Sequence, residues 1–456
     1  MTFGDKLMAK PSTAVVGRIA PRFVRSKTLF AALLAAASCG GCSSSTSATA
    51  ARDGGRTGTP GIDAAPDGAS AHDATPDGVA SDGAPVDAGP HRDVGPLPPD
   101  KCVEAGTCPP GEWVNVTPSS MSPTVLAPTT NAFGPGAVVG DPVRPSDLYV
   151  ACGGDGVWKS VDYGNTWTKI NSTIGYSPIG TPIAVAGTMP AATLWISSGA
   201  GDGHVYKSTD GGSTFALTGG GLPADLYSIQ VDPNDTTHLI SGLHEADGVV
   251  ESTDGGDTWH LVGGTGWPSG GISWYPSFVN TGTAATTRTT WFAIAQDSAA
   301  PVMTSNGGAS WIIPDGLSLP GDAGPLYGLQ HPHGSANFYQ TGSTLFVAGI
   351  YGPGQGVYGS MDLGAKWARV DTGSSPEAIV WGTAKKVYAM YGWACSDCNL
   401  GTDFETAPQP GTDWSASDSG TALIIGPNSM VVTSDGVHNI FVGAMWAEGL
   451  WRYVEP

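Results

Sequence analysis

An eight-residue phrase that recurs along the chain decides the fold: SVDYGNTW at 160–167, STDGGSTF at 208–215 and STDGGDTW at 252–259. Weaker copies follow as TSNGGASW at 304–311 and SMDLGAKW at 360–367, and GTDW at 411–414 keeps only the ending. In such a phrase the carboxylate accepts bonds from nearby backbone N–H groups, a glycine takes positive φ and the aromatic ring fills the gap between sheets. The phrase therefore predicts a structural hairpin turn with no catalytic role for its acids.

The residues assigned to these structural turns are Asp162, Trp167, Asp210, Phe215, Asp254, Trp259, Asn306, Trp311, Asp362 and Trp367. The consensus S-x-D-x-G-x-T-W resembles the Asp-box, also called the bacterial neuraminidase repeat, of β-propeller proteins. The closing aromatic residues fall at 167, 215, 259, 311, 367 and 414, in steps of 48, 44, 52, 56 and 47 residues, which is the size of one propeller blade. An apolar strand and a glycine-led strand precede each phrase, so the repeating unit has four strands.

The two ends of the folded region complement each other. Segments 430–433, 440–444 and 449–453 supply three strands without an outer one, whereas 112–118 is an outer strand with no preceding blade. Joining the ends would remove an exposed sheet edge. The sequence therefore predicts an all-β fold: a single seven-bladed propeller of four-stranded antiparallel blades over 109–456, closed by its N- and C-terminal strands.

Composition narrows the class of partner. The 456 residues include 67 Gly and 36 Pro, and 20 Lys and Arg against 40 Asp and Glu give a formal net charge of -20. This balance argues against nucleic acid or an anionic membrane surface as the main partner. We expect a monomer that meets a membrane only through a lipid anchor and uses no cofactor.

The N-terminal region has the order of an export signal. Basic residues precede an apolar run at 29–37 and small residues lead to Cys39, which predicts a signal over 1–38. Cys39 resembles the acylated cysteine of bacterial lipoproteins, and Cys42 competes for that role. Residues 43–100 contain no Phe, Trp or Tyr, so 39–108 is predicted to be a lipidated or free N-terminus followed by a disordered Asp/Gly/Ala/Pro linker. The expected location is extracytoplasmic, as an outer-membrane or cell-surface lipoprotein or, alternatively, a secreted protein.

The remaining cysteines suit an oxidising compartment. Cys102 and Cys108 predict a disulfide clip at the entry to the domain. Cys395 and Cys398 predict a second disulfide, with half of a metal site or a redox pair as alternatives. Cys152 is left as a buried, unpaired thiol. No spacing completes a metal site, so none is predicted.

A binding site is expected on the face opposite the structural turns, where loops join second to third strands and one blade to the next. These loops collect aromatic and acidic residues suited to a hydroxyl-rich ligand. Five residues are predicted to bind it: His244, Trp274, Tyr275, Trp393 and Trp446. Glu245 and Asp247 are the candidates for acid and base groups. The alternatives are loop-packing anchors for the aromatic residues and a solvated hairpin tip for 244–247.

Within Asp-box propellers, the segment 231–256 resembles the xyloglucanase branch, with sortilin-type receptors and photosystem assembly factors as further relatives in appearance. Sialidases carry an arginine triad, one member of which lies in a Phe/Tyr-Arg-Ile-Pro phrase. That phrase is absent, and 109–456 contains only Arg144, Arg288, Arg369 and Arg452, so a true sialidase is not expected. Xyloglucan hydrolases of this type use two propellers, and this chain supplies one.

Three functions follow as hypotheses. The first is an exported, surface-tethered propeller that binds a polysaccharide or another extracellular polymer. The second is a glycan-active hydrolase or lyase that uses acids in the loops. The third is a protein-binding receptor or an envelope assembly factor.

Overall fold

The computed structural model describes residues 97–123, 126, 134–174, 182–197, 203–220, 222–268, 271–295, 301–317, 338–349, 356–371, 379–390, 403–418, 423, 426–445 and 448–456. The predicted export signal, both candidate lipidation cysteines and most of the predicted linker lie outside these residues. None of the helices among the described residues is long and apolar enough to span a membrane.

The chain forms a seven-bladed β-propeller in which every sheet is antiparallel. After α1 (Lys101–Glu104) and β1 (Trp113–Asn115), blade 1 contains β2 (Pro135–Gly140), β3 (Leu148–Cys152), β4 (Gly156–Ser160) and β5 (Thr168–Asn171). Blade 2 contains β6 (Ile183–Ala186), β7 (Thr193–Ser197), β8 (Val205–Ser208) and β9 (Ala216–Thr218), and blade 3 contains β10 (Gln230–Asp232), β11 (Asp235–Gly242), β12 (Val249–Ser252) and β13 (His260–Val262). Sequential strands are sheet neighbours in each blade.

Blade 4 contains β14 (Trp274–Phe278), α2 (Ala284–Thr287), β15 (Trp291–Ala295) and β16 (Val302–Thr304). Blade 5 contains β17 (Phe338–Thr341), β18 (Thr344–Gly349), β19 (Gly356–Ser360) and β20 (Ala368–Arg369), and blade 6 contains β21 (Ile379–Gly382), β22 (Lys386–Met390), β23 (Asp403–Pro408) and β24 (Ser415–Asp418). Blade 7 contains β25 (Pro427–Ser434), β26 (Asn439–Met445) and β27 (Gly449–Val454).

The N-terminal strand completes blade 7, as predicted. β1 pairs with β27, and this pairing places Trp113 opposite Tyr453 and Asn115 opposite Trp451. The four strands lie in the order β1-β27-β26-β25, so β1 is the outermost. The predicted ring closure is therefore confirmed.

Blade 4 departs from the regular pattern in its outermost strand. The sheet has three strands, and the fourth position is held by a single antiparallel bridge between Met303 and Ile312. Pro314 follows closely and has no N–H with which to extend the pairing. The next residue, Asp315, instead forms a parallel bridge with Lys366 of blade 5.

The five phrases at 160–167, 208–215, 252–259, 304–311 and 360–367, here called the repeat turns, have the hydrogen bonds expected of them. In the first, Ser160 Oγ donates to Asp162 Oδ1 (2.8 Å) and accepts from the backbone N–H of Gly164 (2.9 Å). Asp162 Oδ1 also accepts from the backbone N–H of Thr166 at 2.8 Å, and Oδ2 accepts from its hydroxyl at 2.6 Å. The acidic residues are thus engaged within the turns.

Seven hydrophobic clusters separate neighbouring blades, and each contains one aromatic residue in the same structural position. Trp167, Trp311 and Trp367 are buried, whereas Phe215, Trp259 and Trp414 are half-buried. In the seventh cluster Trp113 takes this position at the start of β1. The predicted wedge between sheets is therefore found at every blade interface, including the one that joins the chain ends.

The segment 97–108 packs on the propeller, so this end of the predicted linker is part of the folded unit. Cys102 and Cys108 form the predicted disulfide and pack against Val454. Asp100 caps α1 and pairs with the buried guanidinium of Arg452. Tyr163 Oη donates to Pro98 O at 2.7 Å. This segment, here called the N-terminal clip, therefore connects blade 7 to blade 1.

The repeat turns share one end of the blades with the loops that join first to second strands; we call this end the repeat-turn face. The loops from second to third strands and the connections between blades lie at the other end, here called the loop face. The predicted site falls on the loop face.

Candidate functional site

On the loop face, acidic and aromatic residues lie together where blade 3 meets blade 4. The β11–β12 loop, residues 243–248, lies here beside the connection that leads from β13 to β14. Gly242 precedes this loop and is closely packed, because a Cβ there would overlap the backbone of Trp274. The two segments therefore lie in close contact and form one site.

His244 is a fixed part of this site. Its ring stacks on Tyr227 with centroids 5.3 Å apart and planes 1° apart. Nδ1 lies 3.2 Å from Asp225 Oδ2, and the His244 N–H donates to Asp225 O at 2.9 Å. With a relative exposure of 7%, the imidazole supports the loop more than it presents itself to a ligand.

Glu245 occupies a strained position at the tip of the loop. Its φ is 48°, and Ser273, on the facing segment, has a φ of 53°. Ser273 Oγ accepts from the Glu245 N–H at 2.9 Å, which couples the two residues. Tyr163 and Leu363 are the other non-glycine residues with positive φ in the described chain, and both stand where other repeat turns have glycine. Within the described residues, only the Glu245–Ser273 pair is strained without that explanation, and such strain is concentrated at functional sites.

Asp247 joins the exposed tip to the aromatic residues beneath it. Its Oδ1 accepts from Trp267 Nε1 and from Trp274 Nε1, each at 2.9 Å. Trp267 is half-buried, with its ring 4.4 Å from that of Trp274 and 4.9 Å from that of Trp311. Asp247 is itself exposed, so a carboxylate of fixed orientation lies beside a supported indole ring.

The predicted ligand-binding residues are placed differently from one another. Trp274 is fully buried, and Tyr275 is nearly so. Tyr275 Oη accepts from Gln230 Nε2 at 3.1 Å, and burial raises the pKa of this tyrosine. Both residues pack between blades, which does not favour direct contact with a ligand, and their binding role stays a prediction. Trp393, Trp446, Cys395 and Cys398 lie outside the described residues.

Several residues of the site are absent from the predicted set of ligand-binding and catalytic residues. Trp267 could have been chosen, because it lies in an aromatic-rich connection between blades. Asp225 and Ser273 gave no signal, since each matters only through a contact with the β11–β12 loop.

Cys152 is buried without a disulfide, as predicted, and burial raises the pKa of its thiol.

Three carboxylates of the site differ in their exposure to solvent. Glu245 and Asp247 are both exposed, whereas Asp225 of the same site is buried. Among the described residues, no three His, Cys, Asp or Glu side chains are grouped to hold a metal ion.

The four propeller arginines are distributed over different blades, and each pairs with its own carboxylate. The pairs are Arg144–Asp141, Arg288–Asp235, Arg369–Asp371 and Arg452–Asp100. They do not converge into a triad for a substrate carboxylate.

Comparison with solved structures places the chain among β-propellers. The structure is similar to the GH74 xyloglucanase from Xanthomonas campestris, with 16% sequence identity, a TM-score of 0.53, and coverage of 75% of this chain and 53% of that one. YCF48 from Cyanidioschyzon merolae matches with 14% identity, a TM-score of 0.44, and coverage of 76% and 99%. The chain thus spans about half the length of the xyloglucanase. The 16% sequence identity to the xyloglucanase shows a shared fold alone. No protein family model and no curated protein matches the chain.

Proposed function

We propose that this protein is an exported, surface-tethered β-propeller that binds a polysaccharide or another extracellular polymer through its loop face. The observation that carries the proposal is Asp247, an exposed carboxylate held by the indole N–H groups of Trp267 and Trp274. A fixed carboxylate accepts hydrogen bonds from sugar hydroxyls. An adjacent indole ring packs on the apolar face of a sugar ring. Because both groups are already oriented, binding requires little further ordering.

Other features support export and tethering. The basic and apolar order of 1–38, the cysteines at 39 and 42, and the Asp/Gly/Ala/Pro composition that follows suit a lipoprotein leader and spacer. The Asp-box resemblance of the repeat turns and the fold shared with a xyloglucanase agree with a glycan ligand.

The test is a glycan array probed with the full chain, followed by a reducing-sugar assay on every ligand that binds. Asp247→Asn and Trp267→Ala should each weaken binding at least about tenfold, or about 1.4 kcal/mol. Asp413→Asn is the matched control, because Asp413 is an exposed carboxylate in the 411–414 turn on the repeat-turn face. Equal loss in the control variant would contradict the assignment of the face.

A hydrolase or lyase is the second candidate, favoured by the strain at Glu245 beside the Asp247 carboxylate. It predicts new reducing ends or unsaturated products that disappear in Glu245→Gln while the glycan still binds. Absence of binding across the array would instead favour a protein partner.

A further inference from the structure

A cavity of about 380 Å³ opens on the repeat-turn face between blades 1 and 2. Blade 1 contributes Tyr149 and Lys159 from adjacent strands, and blade 2 contributes Ala191 and the Gly211–Gly212 step of its repeat turn. The cavity opens on the repeat-turn face, whereas the Asp247 site lies on the loop face. Its contents are therefore independent of the polymer proposed for the loop face.

The repeat explains why a cavity exists at this blade interface. Tyr149 lies opposite Lys159 in blade 1, as Trp195 lies opposite Lys207 in blade 2. Trp195 reaches the next blade, where its Nε1 donates to Gly255 O at 2.7 Å. Tyr149 has the smaller side chain and does not fill the corresponding space. A methyl group at Gly211 would lie 3.6 Å from Tyr149 Oη and 3.8 Å from Lys159 Nζ, so both polar ends are directed toward this glycine.

The two lysines also differ in their partners. Lys207 Nζ lies 3.1 Å from Asp257 Oδ1 in the repeat turn of the next blade, where it closes the interface. The residue corresponding to Asp257 in blade 2 is Ser213, and Lys159 instead pairs with Asp147 of its own blade at 3.0 Å. Its ammonium group lies 5.1 Å from the centroid of the Tyr149 ring. The cross-blade ion pair is thus replaced by a polar wall within blade 1.

The charges on the walls select the class of ligand. Lys159 and Arg144 face Asp147 and Asp210 around the cavity, and Arg144 is also paired with Asp141. Hydrogen bonds from Thr214 hold the pKa of Asp210 at about 2, so this carboxylate stays ionised. Burial raises the pKa of Tyr149, whose hydroxyl therefore stays protonated. Because the three carboxylates outnumber the two cations, an anionic ligand gains little from the site.

We propose that this cavity binds a neutral sugar of mono- or disaccharide size. Sugar hydroxyls can donate to the Asp147 carboxylate and accept from the Lys159 ammonium, which lie above the fully buried Tyr149 ring. Pro190, Ala191 and Ile170 provide an apolar wall for the C–H face of the ring. The volume is near the lower end of the roughly 300–1,000 Å³ of small-molecule sites, which suits a ligand of this size.

The experiment is isothermal titration of the full chain with D-glucose, D-galactose, D-mannose, D-xylose and, as a charged comparator, D-glucuronate. At least one neutral sugar should bind with a Kd on the order of 1 mM, and more tightly than glucuronate. Tyr149→Trp, which reproduces the residue found in blade 2, should abolish that binding. Lys159→Gln should weaken it at least about tenfold, or about 1.4 kcal/mol.

Two control variants keep the result unambiguous. Lys207→Gln changes the corresponding lysine of blade 2 and should leave the affinity unchanged. Trp267→Ala changes the loop face and should also have no effect, so failure of the polymer proposal would not mimic failure of this one. The proposal is overturned if no neutral sugar binds, if Tyr149→Trp retains binding, or if Trp267→Ala removes it. If Tyr149→Trp does not fold, Lys159→Gln decides.

Discussion

At the scale of single residues, the repeat turns show why one aromatic side chain contributes so much to the packing of each blade. Trp167 Nε1 donates to Gly164 O at 3.0 Å, which satisfies the polar end of the ring within its own turn. The rest of the ring packs among residues of blades 1 and 7. One residue therefore closes a turn and fills an interface between two sheets.

Trp167→Ala should lower the free energy of unfolding by about 3–5 kcal/mol, because the substitution leaves a large cavity between blades. Urea unfolding followed by circular dichroism measures this directly. Val161→Ala in the same turn is the control, since Val161 is 61% exposed and its truncation should change the free energy by no more than about 0.5 kcal/mol. Equal stability of the two variants would contradict the interface role of Trp167.

His238 predicts how stability depends on pH. Its buried ring lies 3.0 Å from Asp232 Oδ2 and 2.8 Å from Glu251 Oε1. Burial and the nearby Arg288 act to lower the pKa of His238, but the two hydrogen bonds outweigh them and the pKa is raised. Burial likewise opposes the lowered pKa of Glu251, which the contacts with His238 and His260 produce.

The raised pKa of His238 stabilises the fold fully below the unfolded value of about 6.5, and this stabilisation is lost as pH rises through the folded value. The lowered pKa of Glu251 acts in the opposite sense, with stabilisation that is lost as pH falls through its folded value. The free energy of unfolding should therefore decrease from about pH 6 toward alkaline pH, and less steeply in His238→Gln. Parallel profiles for the two proteins would refute the role of His238.

At the scale of secondary-structure elements, the N-terminal clip is held by a buried ion pair. Arg452 is fully buried on β27, and its Nε donates to Tyr163 O at 3.0 Å. Asp100 provides the opposing charge and also accepts from Cys102 N at 3.0 Å at the start of α1. One carboxylate thus serves both the helix cap and the buried cation.

Asp100→Ala should destabilise the protein by about 3–5 kcal/mol, because it leaves Arg452 buried without a counter-charge. Adding Arg452→Met should restore much of the loss, since a buried pair can often be replaced by apolar residues at little cost. Urea unfolding of both single variants and the double variant gives the coupling free energy. Additive effects would show that the pair does not act as a unit.

Some elements could be predicted from the sequence because their causes are local. The repeat turns depend on residues within eight positions, and Cys102 and Cys108 are six residues apart. The Asp247 site could be predicted only in part, because its geometry depends on Ser273 and Asp225, which are distant in sequence. The cavity beside Tyr149 escaped prediction because it reflects a difference between corresponding residues of two blades.

At the scale of the whole molecule, the pairing of β1 with β27 joins the two ends of the propeller and closes the ring. The N-terminal clip contacts the repeat-turn face, where Pro98 O accepts a hydrogen bond from Tyr163 Oη.

Ring closure can be tested by shortening the chain from its N-terminus. A protein of residues 97–456 keeps the N-terminal clip and β1, and should unfold at the same urea concentration as the full chain. A protein of residues 117–456 loses both, which exposes the outer edge of β27 and removes Trp113, whose ring centroid lies 5.3 Å from that of Tyr453. Because all seven blades share one ring, we expect the whole unfolding transition to shift to a lower urea concentration.

A synthetic peptide of residues 97–116 should shift the transition back as its concentration rises, since a ligand of the native state stabilises that state by mass action. Unchanged stability of the 117–456 protein would show that the ring closes without its N-terminal strand.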